Sequence, residues 1–204
     1  MQDSKLAQLG ELIEAWPGLV SQRAAALIQD SLVLVPHLGE ARRLVDVGSG
    51  GGLPGLALKI ARPELEVTLV ESDQAKAAFL VQAAARLGLD VEVMARRAED
   101  VGRDVRCREA FDVAVARALA PLPVLVELCL PLVRVGGRLL AQKTANEDAA
   151  GAGRAIEALG GAYASTVPVP SSLRSAGVVV IVDKVRSTPE AYPRRAGIPA
   201  RKPL

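Results

Sequence analysis

Aromatic side chains are nearly missing from this sequence: Trp16, Phe79, Phe111, Tyr163 and Tyr192 are the whole set among 204 residues. A surface that reads nucleic acid by stacking bases on several rings is therefore excluded. Any stacking falls to an arginine plane or one of these few rings. Histidine is limited to His37 and cysteine to Cys107 and Cys129, which excludes a zinc cluster of familiar ligand spacing and a disulfide framework. No apolar run is long enough to span a bilayer. The opening MQDSKLAQLG also lacks the basic-then-apolar order of a secretion signal. A soluble cytoplasmic protein with no membrane partner is expected.

What is present is aliphatic. Half of the residues are hydrophobic, mostly Ala, Val and Leu, enough for a sizeable core in one domain with a short appendage. Leu6, Leu9, Leu12, Ile13 and Trp16 recur at helical spacing and stop at Pro17-Gly18. A second amphipathic pattern after Ser21 carries Leu27, Ile28, Ser31, Leu32 and Val35 and ends at Pro36 and Gly39. Residues 1–40 thus read as a helical extension, 41–185 as the main domain and 186–204 as a basic tail. From Lys184 onward six basic residues face Glu190 alone, so the net charge of +2 is concentrated at the C-terminus. Such a tail is either a solvated segment or a phosphate-binding one.

The main domain alternates apolar runs with helical patterns. RLVDV, EVTLVE, VEVMA, FDVAVARA and RLLAQK read as strands. SDQAKAAFLVQAAARLG reads as a helix ended by Gly88, LPVLVELCLPLVRVGG as a helix ended by its glycine pair, and RRAEDVG as a loop. NEDAAGAGRAIEALGG is a helix weakened by Gly151 and Gly153. AYASTVPVP and VVVIVDK follow as a hairpin. Repeated strand–helix units closing in a hairpin predict an α/β fold, a Rossmann-like, doubly wound, mostly parallel sheet with an antiparallel edge.

VDVGSGGGLPG, residues 45–55, holds five glycines. Gly48, Gly50 and Gly52 form G-x-G-x-G, while Gly50, Gly52 and Gly55 form the G-x-G-x-x-G of dinucleotide sites. Glycines here let a ligand approach backbone where a strand turns into a helix, and the helix N-terminus favours an anionic group. No Gly-Lys-Ser/Thr follows, which excludes a P-loop. Two ligands remain, NAD(P) and S-adenosylmethionine. Glu71, ending EVTLVE, suits the ribose diol of either. Asp46, entering the loop or orienting it through backbone N–H bonds, and the terminal hairpin favour S-adenosylmethionine.

VDVGSGGGLPGLALKIARPELEVTLVES, KAAFL, RRAED, FDVAVARALAPL, GGRLLAQK and YPRRAGIPARKPL together resemble one family, in the family's order, from about residue 43 to the end. It is the bacterial 16S ribosomal RNA guanine-N7 methyltransferases, also called glucose-inhibited division protein B. The resemblance implies a class I methyltransferase fold with S-adenosylmethionine as donor. It also implies a guanine of the decoding-region loop as target, in 16S ribosomal RNA or the 30S subunit. Separately, a monomer is expected. It places Gly48 and Leu53 at the donor's methionine and ribose region, with Gly50 in the same loop. Glu71 and Ser72 fall at ribose or adenine, Ala98 and Glu99 at the adenine edge, and Arg117 beside the reaction site. Toward the N-terminus the family's Asn-Leu-Thr is replaced by GLV, and only Asp30-Ser31-Leu32 of a second family pattern remains.

Guanine N7 carries a free lone pair, so methylation there needs no general base. Arg117 and Lys143 are the candidates for positioning the reactants; Lys143 meets RNA phosphate or the target base, or is simply solvated. Arg194, Arg195, Arg201 and Lys202 are the candidate RNA contacts, with packing of the tail against the domain as the other reading. Cys129, in VELCLPL, reads as core. Cys107, between arginines, reads as a surface cysteine, its thiol open to acidification by those charges. The competing functions are an NAD(P)-dependent oxidoreductase or epimerase and a non-catalytic RNA-binding module.

Overall fold

Strands covered on both faces account for the continuous apolar runs in the middle of the chain. The computed structural model describes residues 2–18, 24–145 and 151–204. The expected start of the second helix at Ser21, and the part of the glycine-weakened helix at 146–150, lie outside them. Seven strands, β1 (Arg43–Val47), β2 (Glu66–Val70), β3 (Val91–Met94), β4 (Phe111–Arg117), β5 (Val133–Thr144), β6 (Gly161–Pro168) and β7 (Gly177–Lys184), form one sheet. Its order is β3-β2-β1-β4-β5-β7-β6. β1 to β5 pair in parallel, and β7 enters antiparallel between β5 and β6. The doubly wound sheet and its closing hairpin are those the sequence predicts.

Alternation along each strand assigns the two faces. Leu44, Val113, Val115, Leu140 and Val179 point into one core with α1 (Gln2–Ala15), α2 (Ala24–Leu32), α3 (Gly55–Ala61) and α4 (Gln74–Leu87). Val45, Val47, Ala114, Ala116, Leu139 and Ala141 point into the other, with α6 (Leu122–Cys129) and α7 (Gly153–Ala158). The N-terminal helices share the first core with the sheet: Leu9, Ile13 and Ile28 are buried there, and Trp16 meets Phe79 edge-on at 5.3 Å. α4 begins at Asp73, whose carboxylate accepts from the Ala75 and Lys76 N–H groups. It ends at Gly88, whose φ of +58° is the left-handed turn that favours glycine.

Three expectations are corrected. The helix expected to run to Gly137 stops at Cys129, because Pro131 supplies no N–H and clashes with the preceding turn. A 3-10 turn (Leu130–Leu132) then delivers the chain into β5, whose residues 134–137 bulge out of the β4 ladder. Gly137 is needed at that bulge, since a Cβ would lie 2.5 Å from the Asp112 carbonyl oxygen. RRAEDVG contains one helical turn, α5 (Ala98–Val101). Cys107 is buried, and burial pushes its thiol up, against the acidification the neighbouring arginines suggest.

The basic tail folds back on the domain. Arg108 donates to the carbonyls of Thr188 and Tyr192, and Arg103 to that of Pro193. The short α8 (Ile198–Arg201) ends it. Lys184, counted with the tail's charge, is enclosed: its Nζ donates to Leu130 O at 2.6 Å and Thr188 Oγ1 at 2.7 Å and pairs with Glu109.

Candidate active site

The carboxyl ends of β1, β2 and β4 open into a cleft of about 460 Å³. Gly48, Gly50, Leu53, Glu71, Ser72, Ala98, Glu99 and Arg117, eight positions singled out from the sequence, all line it. Asp46 and Lys143 do not. The glycine loop owes its shape to left-handed Gly48 (φ +74°), Gly50 (φ +53°) and Gly52 (φ +82°). At Gly48 a Cβ would also lie 2.5 Å from the Leu119 side chain.

Asp46 lies wholly buried beneath the loop. Its Oδ2 accepts from the Gly55 N–H at 2.8 Å, at the start of α3. The helix N-terminus is thus occupied by a protein carboxylate rather than left open for a ligand. Asp46 orients the loop, the second of the two roles the sequence allows. Burial pushes its carboxyl up to about 7, partly offset by the Gly55 N–H and the positive charge of Arg117.

Glu71 braces the loop from the other side. Oε2 accepts from the Gly50 N–H at 2.9 Å and Oε1 from the Asp73 N–H at 2.8 Å. A carboxylate offers about four lone-pair sites, so each oxygen keeps capacity for a ligand hydroxyl. Across the cleft, Glu99 is 2% exposed: Oε1 accepts from the Gly197 N–H at 2.8 Å and from Arg97 at 3.2 Å. Its Oε2 is buried with no hydrogen-bond partner among the described residues. The tail therefore helps to set the far wall of the cleft. Burial works to raise the Glu99 carboxyl, but the Gly197 and Arg97 hydrogen bonds outweigh it, so it stays below the usual range.

Arg117 sits where the cleft meets a second cavity of about 370 Å³ under α2, and it lines both. Burial lowers its pKa, while Asp30 and Asp46 oppose that shift. Its Nη1 lies 3.7 Å from Asp30 Oδ2 and donates to Leu27 O at 3.4 Å. Asp30 is the hub of a network that sequence reading missed. Its carboxylate accepts from Ser171 Oγ at 2.6 Å, from Arg174 Nε at 2.9 and 3.0 Å, and from Gln142 Nε2 at 3.2 Å. Gln142 Nε2 also donates to the Asp30 carbonyl, and Arg174 Nη1 to the Lys143 carbonyl. One signal was available. In RLLAQK the alternation puts Gln142 on the same face as Leu140, a polar side chain where a doubly covered strand should be apolar. Lys143 is buried and its Nζ donates to the Ala120 carbonyl; it lines the second cavity.

Of the four tail cations, Arg195, Arg201 and Lys202 are exposed. Arg194 is not available in the same way. Its Nε and Nη2 grip the fully buried Glu127 at 2.9 and 2.6 Å, and Nη2 also donates to Lys202 O at 2.8 Å. This fork matches a carboxylate in two places and anchors the tail, the packing role that the sequence set beside RNA contact for Arg194. Among the described residues no group of His, Cys, Asp and Glu is placed to hold a metal. No helix among them is long and apolar enough to cross a membrane.

Residues 20–171 match the family model described as GidB, rRNA small subunit methyltransferase G. A relative from Roseiflexus sp. (strain RS-1), named Ribosomal RNA small subunit methyltransferase G, is 49% identical over 179 residues, covering 86% of this chain and 76% of its own. One of the same name from Moorella thermoacetica is 44% identical over 186 residues, covering 87% and 76%. Among solved structures, the S-adenosylmethionine-dependent methyltransferase SibL in its apo form superposes with a TM-score of 0.66 at 18% identity, covering 87% of this chain and 62% of that one. That likeness concerns the fold alone.

Proposed function

The chain belongs to the GidB family of rRNA small subunit methyltransferases, and on that premise we propose that it methylates N7 of a guanine in the decoding-region loop of 16S ribosomal RNA, using S-adenosylmethionine. The observation that carries this reading is the cleft itself. Eight positions matched to a donor site from the sequence come together around one cavity of suitable volume.

The residues present fit the donor. Glu71 stands at the end of β2 with spare lone pairs, the glycine backbone admits close approach, and the orphaned Glu99 Oε2 supplies a buried acceptor. When bound, S-adenosylmethionine supplies a methyl on a positively charged sulfur. Held by the glycine loop and Glu71, it would offer that methyl to the guanine N7 lone pair, with neutral sulfur as the leaving group and the positive charge carried on to the purine ring. No proton moves and no charge is created, so alignment is the main demand on the protein. Glu71 and Asp46 fix the loop, and Arg117, held by Asp30, forms the boundary between donor cleft and second cavity. His37 lines neither cavity, consistent with chemistry that needs no base. Arg195, Arg201 and Lys202 are proposed to meet RNA phosphates.

Calorimetry and label transfer test this reading. S-adenosylmethionine should bind while NAD(H) does not, and labelled methyl should pass to undermethylated 30S subunits. Donor binding without transfer would leave a non-catalytic RNA-binding module; NAD(H) binding would restore the oxidoreductase alternative.

A further inference from the structure

The C-terminal segment runs behind the far wall of the donor cleft. That wall is the start of α5, where Arg97, Ala98 and Glu99 line the cleft. A helix of one turn cannot hold itself in place, so its neighbours must fix it. The segment grips α5 at both ends. At the start, the Gly197 N–H donates to Glu99 Oε1 at 2.8 Å. At the end, Gly102 sits so close to Pro193 that a Cβ would lie 3.0 Å from the proline ring, and Arg103 Nε donates to the Pro193 carbonyl at 2.7 Å.

The same segment is tied to a second wall. Glu127 accepts from the Arg194 backbone N–H at 2.9 Å as well as from its guanidinium, and the next residue of α6, Leu128, lines the cleft. Past Gly197, Leu204 packs against the core that buries α6. Among the described residues, Glu99 alone both lines the cleft and hydrogen-bonds this segment. Its acceptor is a carboxylate, so the bond from Gly197 is charge-assisted and stronger than one between neutral groups. Gly197 does not line the cleft itself.

We infer that Gly197 is a positioning residue of the donor site: its N–H holds the α5 turn against the cleft, so that docking of the C-terminal segment and binding of S-adenosylmethionine strengthen each other. The inference rests on the donor reading above and adds the segment that readies the pocket. A wall already held in place need not be ordered at the moment of binding, so more of the contact energy is realised as affinity. With the Gly197 contact broken, the donor must order the turn as it binds. Linkage is reciprocal, so a donor in the cleft holds the segment down by the same factor.

The test replaces one amide of the full chain by an ester. Glycolic acid incorporated at position 197 during translation removes the N–H that Glu99 accepts and keeps every side chain. Lactic acid at the exposed position 196, whose N–H makes no hydrogen bond among the described residues, is the control. By calorimetry the ester at 197 should bind S-adenosylmethionine about tenfold more weakly than wild type, and the ester at 196 should bind like wild type. Single-turnover methyl transfer at saturating donor should stay within about twofold of wild type, since the contact acts on binding and not on the aligned reactants. In the wild-type protein, saturating donor should slow amide exchange at Gly197 by the factor lost in the ester, a measurement that decides even if the ester does not fold. Wild-type affinity in the ester at 197, equal losses in both esters, a rate lost at saturating donor, or Gly197 exchange indifferent to the donor would each overturn the assignment. A wild-type protein that binds no S-adenosylmethionine would instead overturn the donor reading beneath it.

Discussion

The two halves of the site are built by different means. On the donor side, Asp46 reaches Gly55 nine residues on, and Glu71 reaches Gly50 and Asp73. The loop is held by hydrogen bonds between carboxylates and nearby backbone. Around the second cavity, Asp30, Gln142, Ser171 and Arg174 come together from α2, β5 and the β6–β7 connection, with Ser171 separated from Asp30 by 141 positions. Local bracing shapes the first half, and a buried charge network tied across the whole fold shapes the second. The glycine-loop wall of the donor cleft thus depends on nearby residues, whereas the second cavity depends on the N-terminal helices staying docked.

Breaking the network should have the largest effect. Asp30→Ala leaves Arg174 and Arg117 without their buried counter-charge and should cost about 3–5 kcal/mol in urea unfolding. The donor-side change Glu71→Ala should leave stability much closer to wild type. It should weaken S-adenosylmethionine binding about tenfold or more by calorimetry, from lost charged hydrogen bonds. Equal stability losses in the two variants would erase the contrast.

A pH comparison sharpens it next. Asp46 titrates near 3.8 when unfolded and about 7 when folded. Between those values the native state holds a proton that the unfolded chain has released. Its contribution therefore favours folding at low pH and is lost as pH rises through about 7. The stability of Asp46→Asn relative to wild type should change across that window by up to roughly 1.4 kcal/mol per pH unit. Urea titrations at pH 5 and 7.5 check this; an unchanged difference would place a charged Asp46 in the folded protein.

The smallest effects belong to the tail. Arg201→Ala and Lys202→Ala should each lower the salt slope of RNA binding by about one while leaving the fold intact. Arg194→Ala should instead act on stability, by unpairing the buried Glu127, and its thermal midpoint should fall well below those of the other two.

Sequence reading reached the donor cleft and, at the second cavity, only Arg117 and Lys143, missing the network around Asp30, for the same physical reason. Glycines at 48, 50 and 52, an acid at the end of each flanking strand and an arginine ending β4 are local signals, legible because strand, turn and helix N-terminus follow one another directly. Asp30 and Arg174 carry no such signal, because their meaning is a contact between distant segments. Arg194 stayed open between RNA contact and packing for a related reason: charge patterning cannot see that Glu127, in an apolar helical run, waits inside for a partner. Pro131 was legible as a breaker and still passed for helix, since the apolar run continues through it into β5.

Mapping the modification on 16S RNA tests the central claim most directly. Label from S-adenosylmethionine should fall on a single guanine of the decoding-region loop, and borohydride and aniline treatment should cleave the strand there, as a positively charged N7-methylated ring requires. Label on another base, or on a guanine resistant to that cleavage, would contradict the account.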